Sequence, residues 1–248
     1  MDKQLPAINS DPIVGEYFSL LFDHGYKKEH HETRELLEYI EQMEKQYSLI
    51  VEELHEVKEL INHLQNPVTQ SRMSLVVGKV ETAVNDSLNK LNTLKLKLTN
   101  SMKESINSFK QKGKNKVIKT INVLHFKEIL GGIRNSLFAG MKQTKSLIHT
   151  CDAMTSEMRQ AKTHLKQVRQ IVFKKDQTIN NQDKQKMNLL QKVSRKVYTS
   201  LEKMTINTTS LLHKLEDFEK PSVKKEIKLI ENKTLNKTSK KKHIISFL

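Results

Sequence analysis

The chain has 248 residues, 36% hydrophobic and 29% charged, with no Trp, only 7 Gly and 4 Pro, and one cysteine. So little turn-forming glycine argues against a compact α/β enzyme and for long helices. The lone Cys151 excludes an internal disulfide, so a cytoplasmic location is expected. Net charge is +15, unevenly spread: residues 1–67 hold 6 Lys or Arg against 14 Asp or Glu, net −8, which leaves +23 for residues 68–248. Such a division invites an internal clasp between acidic and basic helices, or an acidic partner such as nucleic acid or anionic lipid. A solvated lysine-rich face is the plainer alternative, since Lys outnumbers Arg 37 to 6. No apolar stretch approaches the ~20 residues that span a bilayer, and no signal peptide or membrane anchor is expected.

Asp11 before Pro12 predicts an N-cap with proline at the first helical position. The short helix it opens carries Ile13, Tyr17, Leu20 and Leu21 and stops near Gly25. In the next helix, about 29–65, Leu36, Ile40, Met43, Tyr47, Ile50, Leu54, Val57, Ile61 and Leu64 alternate four and three apart without a miss. That is a heptad seam about 44 Å long, which another helix must cover. Leu37, Val51 and Leu60 widen the stripe, so packing against more than one helix is expected. Asn66 and Pro67 end the helix, because proline disfavours helical geometry in the residue before it.

A second long helix, about 70–112, is expected to begin near Thr69 or Ser71. One face carries Met73, Val77, Val80, Val84, Leu88, Leu91, Leu98, Met102, Ile106 and Phe109. Ser87, Ser101 and Ser105 weaken this seam, and Gly113 interrupts or ends the helix. After a brief amphipathic stretch, Val117 to Leu124, a third long helix covers about 126–175. Its later seam is Ile148, Cys151, Met154, Met158, Ala161, Leu165, Val168 and Val172. Residues 176–185 form a polar break. A fourth long helix, about 184–219, keeps the three-four spacing through Met187, Leu190, Ser194, Val197, Leu201, Met204, Thr208, Leu211, Leu215 and Phe218, and Pro221 closes it.

The fold expected is therefore all-α: an elongated bundle of long antiparallel helices with coiled-coil-like seams. It divides into an N-terminal arm and short helix, 1–26, the bundle, 27–220, and a Lys-rich tail, 221–248, expected to be mostly disordered. A homo-oligomeric coiled coil is the alternative, because periodicity does not reveal which chain supplies the covering helix.

No catalytic residue, cofactor or metal is expected. Glu52 and His55 have the Glu-x-x-His spacing of di-iron bundles, but such a site needs two of these motifs, and His55 lies off the seam. His30 and His31 are adjacent, about 100° apart on a helix, and make poor co-ligands. Cys151 sits on a seam without a His or carboxylate patterned to activate it. Glycine-rich phosphate loops and nucleophile elbows are absent. In residues 126–141, Gly131, Gly132 and Gly140 each cost a helix interior about 1 kcal/mol relative to alanine. Close helix contact is one reading of this segment. Membrane insertion after rearrangement is another, against which Lys127, Glu128 and Arg134 weigh. In the tail, Lys237, Lys240, Lys241 and Lys242 are candidate contacts to a polyanion, at about 1 kcal/mol per lysine near an anionic membrane. Scarce Arg argues against reading of base edges.

The opening SDPIVGEYFSLLFDHGY, the run from Met43-Glu44-Lys45-Gln46 into IVEELHEVKELINHL, the segment SINSFKQKGKNKVIKTINVLHFKEILGGIRNSL and AKTHLKQVRQIVFKK together resemble an uncharacterised helical family. It is a domain of unknown function of Gram-positive gut bacteria, often carried near conjugative-element genes. The resemblance covers most of residues 10 to 175 and implies a bacterial, mobile-element setting without an assigned activity or catalytic residues.

The function expected is that of a non-enzymatic helical scaffold or interaction module, with the first long helix as the partner-facing or clasp element through Ile40, Tyr47, Leu54 and Ile61. Its partner would be a protein or a second copy meeting the seams. Nonspecific nucleic-acid binding by the Lys-rich helices and tail is the alternative, and peripheral contact with a membrane a second one. No small-molecule substrate is expected.

Overall fold

In a computed structural model, residues 8–64, 66–112, 123–172 and 182–219 are described. After a 3-10 turn at Ile8–Ser10 come α1 (Pro12–Asp23), α2 (Lys27–Asn62), α3 (Pro67–Lys112), α4 (Val123–Val172) and α5 (Gln182–Glu219). The chain divides into two units, residues 1–212 and 213–248, and the packing below belongs to the first. In the second, the last turns of α5 place His213 within 3.4 Å of Glu216. The tail expected at 221–248 lies outside the described residues, as do residues 117–122.

Local chemistry accounts for the helix ends. Asp11 Oδ1 accepts from the Ile13 N–H at 3.0 Å and Pro12 opens α1, as its sequence predicts. Beyond α1, Gly25 turns the chain at φ +74°, a conformation that glycine alone adopts freely, and α2 follows at once. The turn between α2 and α3 corrects two expected boundaries: α2 ends at Asn62, not 65, and α3 begins at Pro67, not near Thr69 or Ser71. Proline opens a helix without losing a hydrogen bond, and Asn66 Oδ1 caps it by accepting from Val68 N–H at 3.0 Å and Thr69 N–H at 3.3 Å. The residue that stops one helix therefore starts the next. Val123 and Leu124 belong to α4 and not to a separate stretch.

The four long helices run up, down, up and down, each packed against two antiparallel neighbours. Tyr47 and Ser87 join α2 to α3, and Lys90 and Ser136 join α3 to α4. Met141 and Thr205 join α4 to α5, and Tyr39 and Thr208 join α5 back to α2. The ring closes, so α2 lies diagonally across the core from α4. Helix α1 packs on α2 and α3 through Val14, Tyr17 and Leu21, with the Phe18 ring against His30 and the His24 ring against Phe109.

Every member of the α2 seam is buried, and so are the α5 seam positions from Met187 to Leu215. On α3 the register Met73, Val77, Val80, Val84, Ser87, Leu91, Leu94, Leu98 holds without a break. Ser87 is a full member, and Leu94 rather than the half-buried Leu88 occupies the core. The α4 seam starts earlier than expected: Phe126, Leu130, Ile133, Leu137, Gly140, Thr144, Leu147 and Cys151 are buried, whereas Ile148 and Met154 are half-buried and Ala161 is exposed. Of the residues flanking the α2 seam, Leu37 is buried, Leu60 half-buried and Val51 exposed, so widening occurs mainly where α1 also packs.

The two glycines that most matter differ in kind. A Cβ at Gly140 would stand 3.3 Å from Leu201 Cδ1 and 3.7 Å from Ala83 Cβ, so the missing side chain lets three helices approach. Nothing lies within 4 Å of a Cβ built on Gly131. Gly131→Ala should thus raise stability by about 0.5–1 kcal/mol through helix propensity and reduced unfolded-state entropy, while Gly140→Leu should cost about 1–3 kcal/mol by overpacking. Thermal unfolding of the two variants distinguishes these outcomes. In the same measurement Ile50→Ala should cost about 2–4 kcal/mol and its exposed neighbour Val51→Ala less than about 0.5 kcal/mol.

Candidate interaction surfaces

The residues expected to meet a partner, Ile40, Tyr47, Leu54 and Ile61, are between 0% and 4% exposed, covered by the chain's own helices. The remaining seam positions Leu36, Met43, Ile50, Val57 and Leu64 are buried with them. No partner reaches this stripe unless the bundle opens. What α2 offers outside is its other face. Glu38, Glu52, Glu56 and Glu59 are exposed there with Lys45 and His55, Leu49 stands among them at 56% exposure, and Val51, 49% exposed, lies on the opposite flank about 160° around the helix.

Ion pairs tie α1 and α2 to their basic neighbours. Lys95 of α3, its side chain 6% exposed, reaches Glu44 of α2 at 2.6 Å, and Lys110 meets Glu16 of α1 at 2.6 Å. Lys196 of α5 acts on Glu53, whose carboxyl is nevertheless raised because burial outweighs the lysine. One pair runs the other way, Lys58 of α2 with Glu81 of α3 at 2.5 Å. Between α3 and α4, Asp86, Lys90 and Ser136 form a compact cluster in which Lys90 donates to Asp86 at 2.5 Å and to Ser136 at 2.8 Å. The lysine bond, then that from Ser136, holds the Asp86 carboxyl below its usual range. The spacing of Asp86 and Lys90 is visible in the sequence as an i,i+4 pair, but its union with Ser136 requires the fold.

Three tyrosines carry hydroxyls into apolar surroundings. Thr208 donates to the Met204 carbonyl at 2.7 Å, so the Tyr39 hydroxyl donates to Thr208 at 2.8 Å. Tyr47 is paired with Ser87, which lies 3.5 Å from the Ile133 carbonyl. Burial pushes the phenols of Tyr39 and Tyr47 well above the ordinary tyrosine range, and Tyr17 up to about 12. Cys151 is fully buried and its thiol is pushed up to about 12, chiefly by burial. A thiol kept protonated in this way is a poor nucleophile.

His55 is exposed on the outer face of α2, and His31 lies 3.6 Å from Glu35. Among the described residues no group of three or more His, Cys, Asp or Glu is placed to hold a metal ion. No described helix is long and apolar enough to cross a membrane. In the 126–141 segment Leu130, Ile133 and Leu137 face the core, leaving Phe138 exposed. Lys237, Lys240, Lys241 and Lys242 lie outside the described residues.

The tyrosines generate a pH dependence. A phenol whose folded pKa exceeds its unfolded value of 10 stabilises the fold below pH 10, and that contribution is lost as pH rises toward the folded pKa. With Tyr26 and Tyr198 replaced by Phe, tyrosinate absorbance should appear above pH 10 together with loss of helical circular dichroism. Smooth ionisation near pH 10 in a fully helical chain would show these rings to be accessible.

Among curated proteins and among solved structures, nothing matches the chain. A family model does: it matches residues 10–246, which include all five α-helices and the exposed face of α2. The chain belongs to a family of unknown function, DUF6674.

Proposed function

We propose that this protein is a non-enzymatic helical interaction module, cytoplasmic, whose outward face of α2 receives a basic protein partner. The carrying observation is the exposure of Glu38, Glu52, Glu56 and Glu59 on the face that Leu49 shares, on the one acidic long helix of a bundle whose other long helices are basic. A mainly acidic face that also carries an exposed apolar side chain supplies both orientation and contact area to a complementary basic surface. The bacterial, mobile-element setting belongs to this reading and rests on the resemblance of residues 10–175 alone.

The test is the tagged full chain recovered from its native host beside an E52K/E56K/E59K variant. A co-purifying protein retained by the native chain and reduced about tenfold or more by charge reversal supports the reading. An identical set of co-purifying proteins at equal abundance overturns it. The second reading, nucleic-acid binding, is supported by Lys192, Arg195, Lys196 and Lys203, which are all exposed on α5. It requires duplex DNA affinity that falls steeply with salt, and the α2 reversal should not weaken it.

A further inference from the structure

The outward faces of α2 and α4 are opposite in charge and matched in spacing. On α2 the exposed residues Lys45, Leu49, Glu52, Glu56 and Glu59 alternate four and three apart, a second stripe on the side away from the core. On α4 the same alternation runs through Asn135, Phe138, Lys142, Lys145 and His149, all exposed, with Phe138 at 52%. Residues 129–151 contain Arg134, Lys142 and Lys145 and no acid, so this second stripe is basic. The two helices stand diagonally in the ring and run in the same direction, so their outward faces point away from each other. They also stand at one height. Ser87 of α3 is bonded to Tyr47 of α2 and lies 3.5 Å from the Ile133 carbonyl of α4, which sets 47 level with 133. On the other side, Ser200 of α5 donates to Glu53 at 3.5 Å, and its neighbour Leu201 lies 3.3 Å from a Cβ built on Gly140. Both layers give an offset of about 86 residues between α2 and α4. At that offset Glu52 is level with Phe138, Glu56 with Lys142 and Glu59 with Lys145.

We infer that the acidic stripe of α2 in one molecule packs against the basic stripe of α4 in a second copy. The inference rests on the reading of the α2 face given above and names the basic partner of that face. A copy displaced sideways, with no shift along the helix axis, brings Lys142 beside Glu56 and Lys145 beside Glu59. Phe138 then meets Glu52 and lies within a turn of Leu49, so two exposed apolar side chains leave water together. Gly131, at the next position of the α4 stripe, has nothing within 4 Å of a Cβ in its own molecule. In the pair it faces Lys45 and leaves room for the lysine's apolar stem. Charge selects this pairing over the symmetric ones. Two α2 faces would oppose Glu to Glu, and two α4 faces Lys to Lys. The surviving contact joins unlike faces on opposite sides of the bundle, so it does not close on itself, and copies add in an open row. One helix against one helix is smaller than a standard interface, so each contact is weak, with a dissociation constant of about 10 μM or above.

Sedimentation velocity of the full-length chain over a concentration series tests this. At low ionic strength the weight-average mass should rise with concentration past that of a dimer, and added salt should lower it again. The sign of the salt effect matters, because relief of general repulsion in a chain of net charge +15 would make salt promote association, and that result overturns the inference. E52K/E56K/E59K and K142E/K145E should each lower the association constant about tenfold or more. Phe138→Ser should act in the same direction. Circular dichroism and thermal midpoint should stay unchanged, since every substituted residue is exposed. Both reversals combined in one chain should restore association, because the two faces are again opposite in charge. A chain that stays monomeric at all concentrations, association untouched by K142E/K145E, or no restoration in the combined variant overturns the inference. So does a monomeric chain whose binding to a short DNA duplex is abolished by K142E/K145E. The reading of the α2 face fails separately: a protein from the native host that is lost with E52K/E56K/E59K but retained by K142E/K145E upholds that face and overturns the second copy as its occupant.

Discussion

Burial of the uninterrupted α2 seam is the constraint on which the rest of the structure depends. Nine apolar side chains on one stripe cannot remain in water, and at about 25 cal/mol per Å² their burial outweighs any single polar contact in the molecule. The chain covers the stripe by placing α2 between α3 and α5, antiparallel to both, and α4 then closes the ring across the core. The same act that buries the seam turns the other face of α2 outward, so the exposed Glu residues follow from the core.

Charge is arranged around this core and does not create it. The single acidic long helix sits between basic neighbours, and Glu44 with Lys95 and Glu16 with Lys110 take up part of the opposing charge at the helix boundaries. Lys58 with Glu81 shows that the pattern is a bias and not a strict code. Exposed pairs such as Glu16 with Lys110 are individually weak, whereas Lys95 is buried against Glu44, and both help to set which helices are neighbours. Because α2 is part of the core, the helix that carries this acidic charge cannot be removed without exposing the seams of α3 and α5.

Much of the fold was legible because helical periodicity and helix caps are local. The Asp11–Pro12 start, the turn at Gly25 and the seams of α2 and α5 can all be read from neighbouring residues. The front half of the α4 seam was not, because Gly140 and Thr144 hold core positions without looking apolar. The fit at Gly140 depends on Leu201 and Ala83, which come from other helices, and the Thr144 hydroxyl is satisfied by the Gly140 carbonyl. The core place of Ser87 is hidden for the same reason, since its partner Tyr47 lies forty residues away in sequence. Pro67 has two roles, and only the helix-ending one is plain from its neighbours, so the start of α3 at Pro67 and not near Thr69 or Ser71 emerges from the fold. The partner-facing role given to Ile40, Tyr47, Leu54 and Ile61 met a deeper limit, for an amphipathic stripe states that it must be covered but not by which chain.

The buried hydroxyls answer a difficulty that regular seams create. A helix whose apolar positions repeat every seven residues can slip by one heptad, about 10.5 Å, and still bury an apolar stripe, so the seams alone are degenerate in alignment. Slippage of α3 along α2 would part Ser87 from Tyr47, and slippage of α5 would part Thr208 from Tyr39. Each move would strand a phenol in an apolar interior, a loss of about 1–3 kcal/mol for every unsatisfied group. The tyrosines thus act as index marks on otherwise periodic rods, selecting one alignment from several of similar apolar burial.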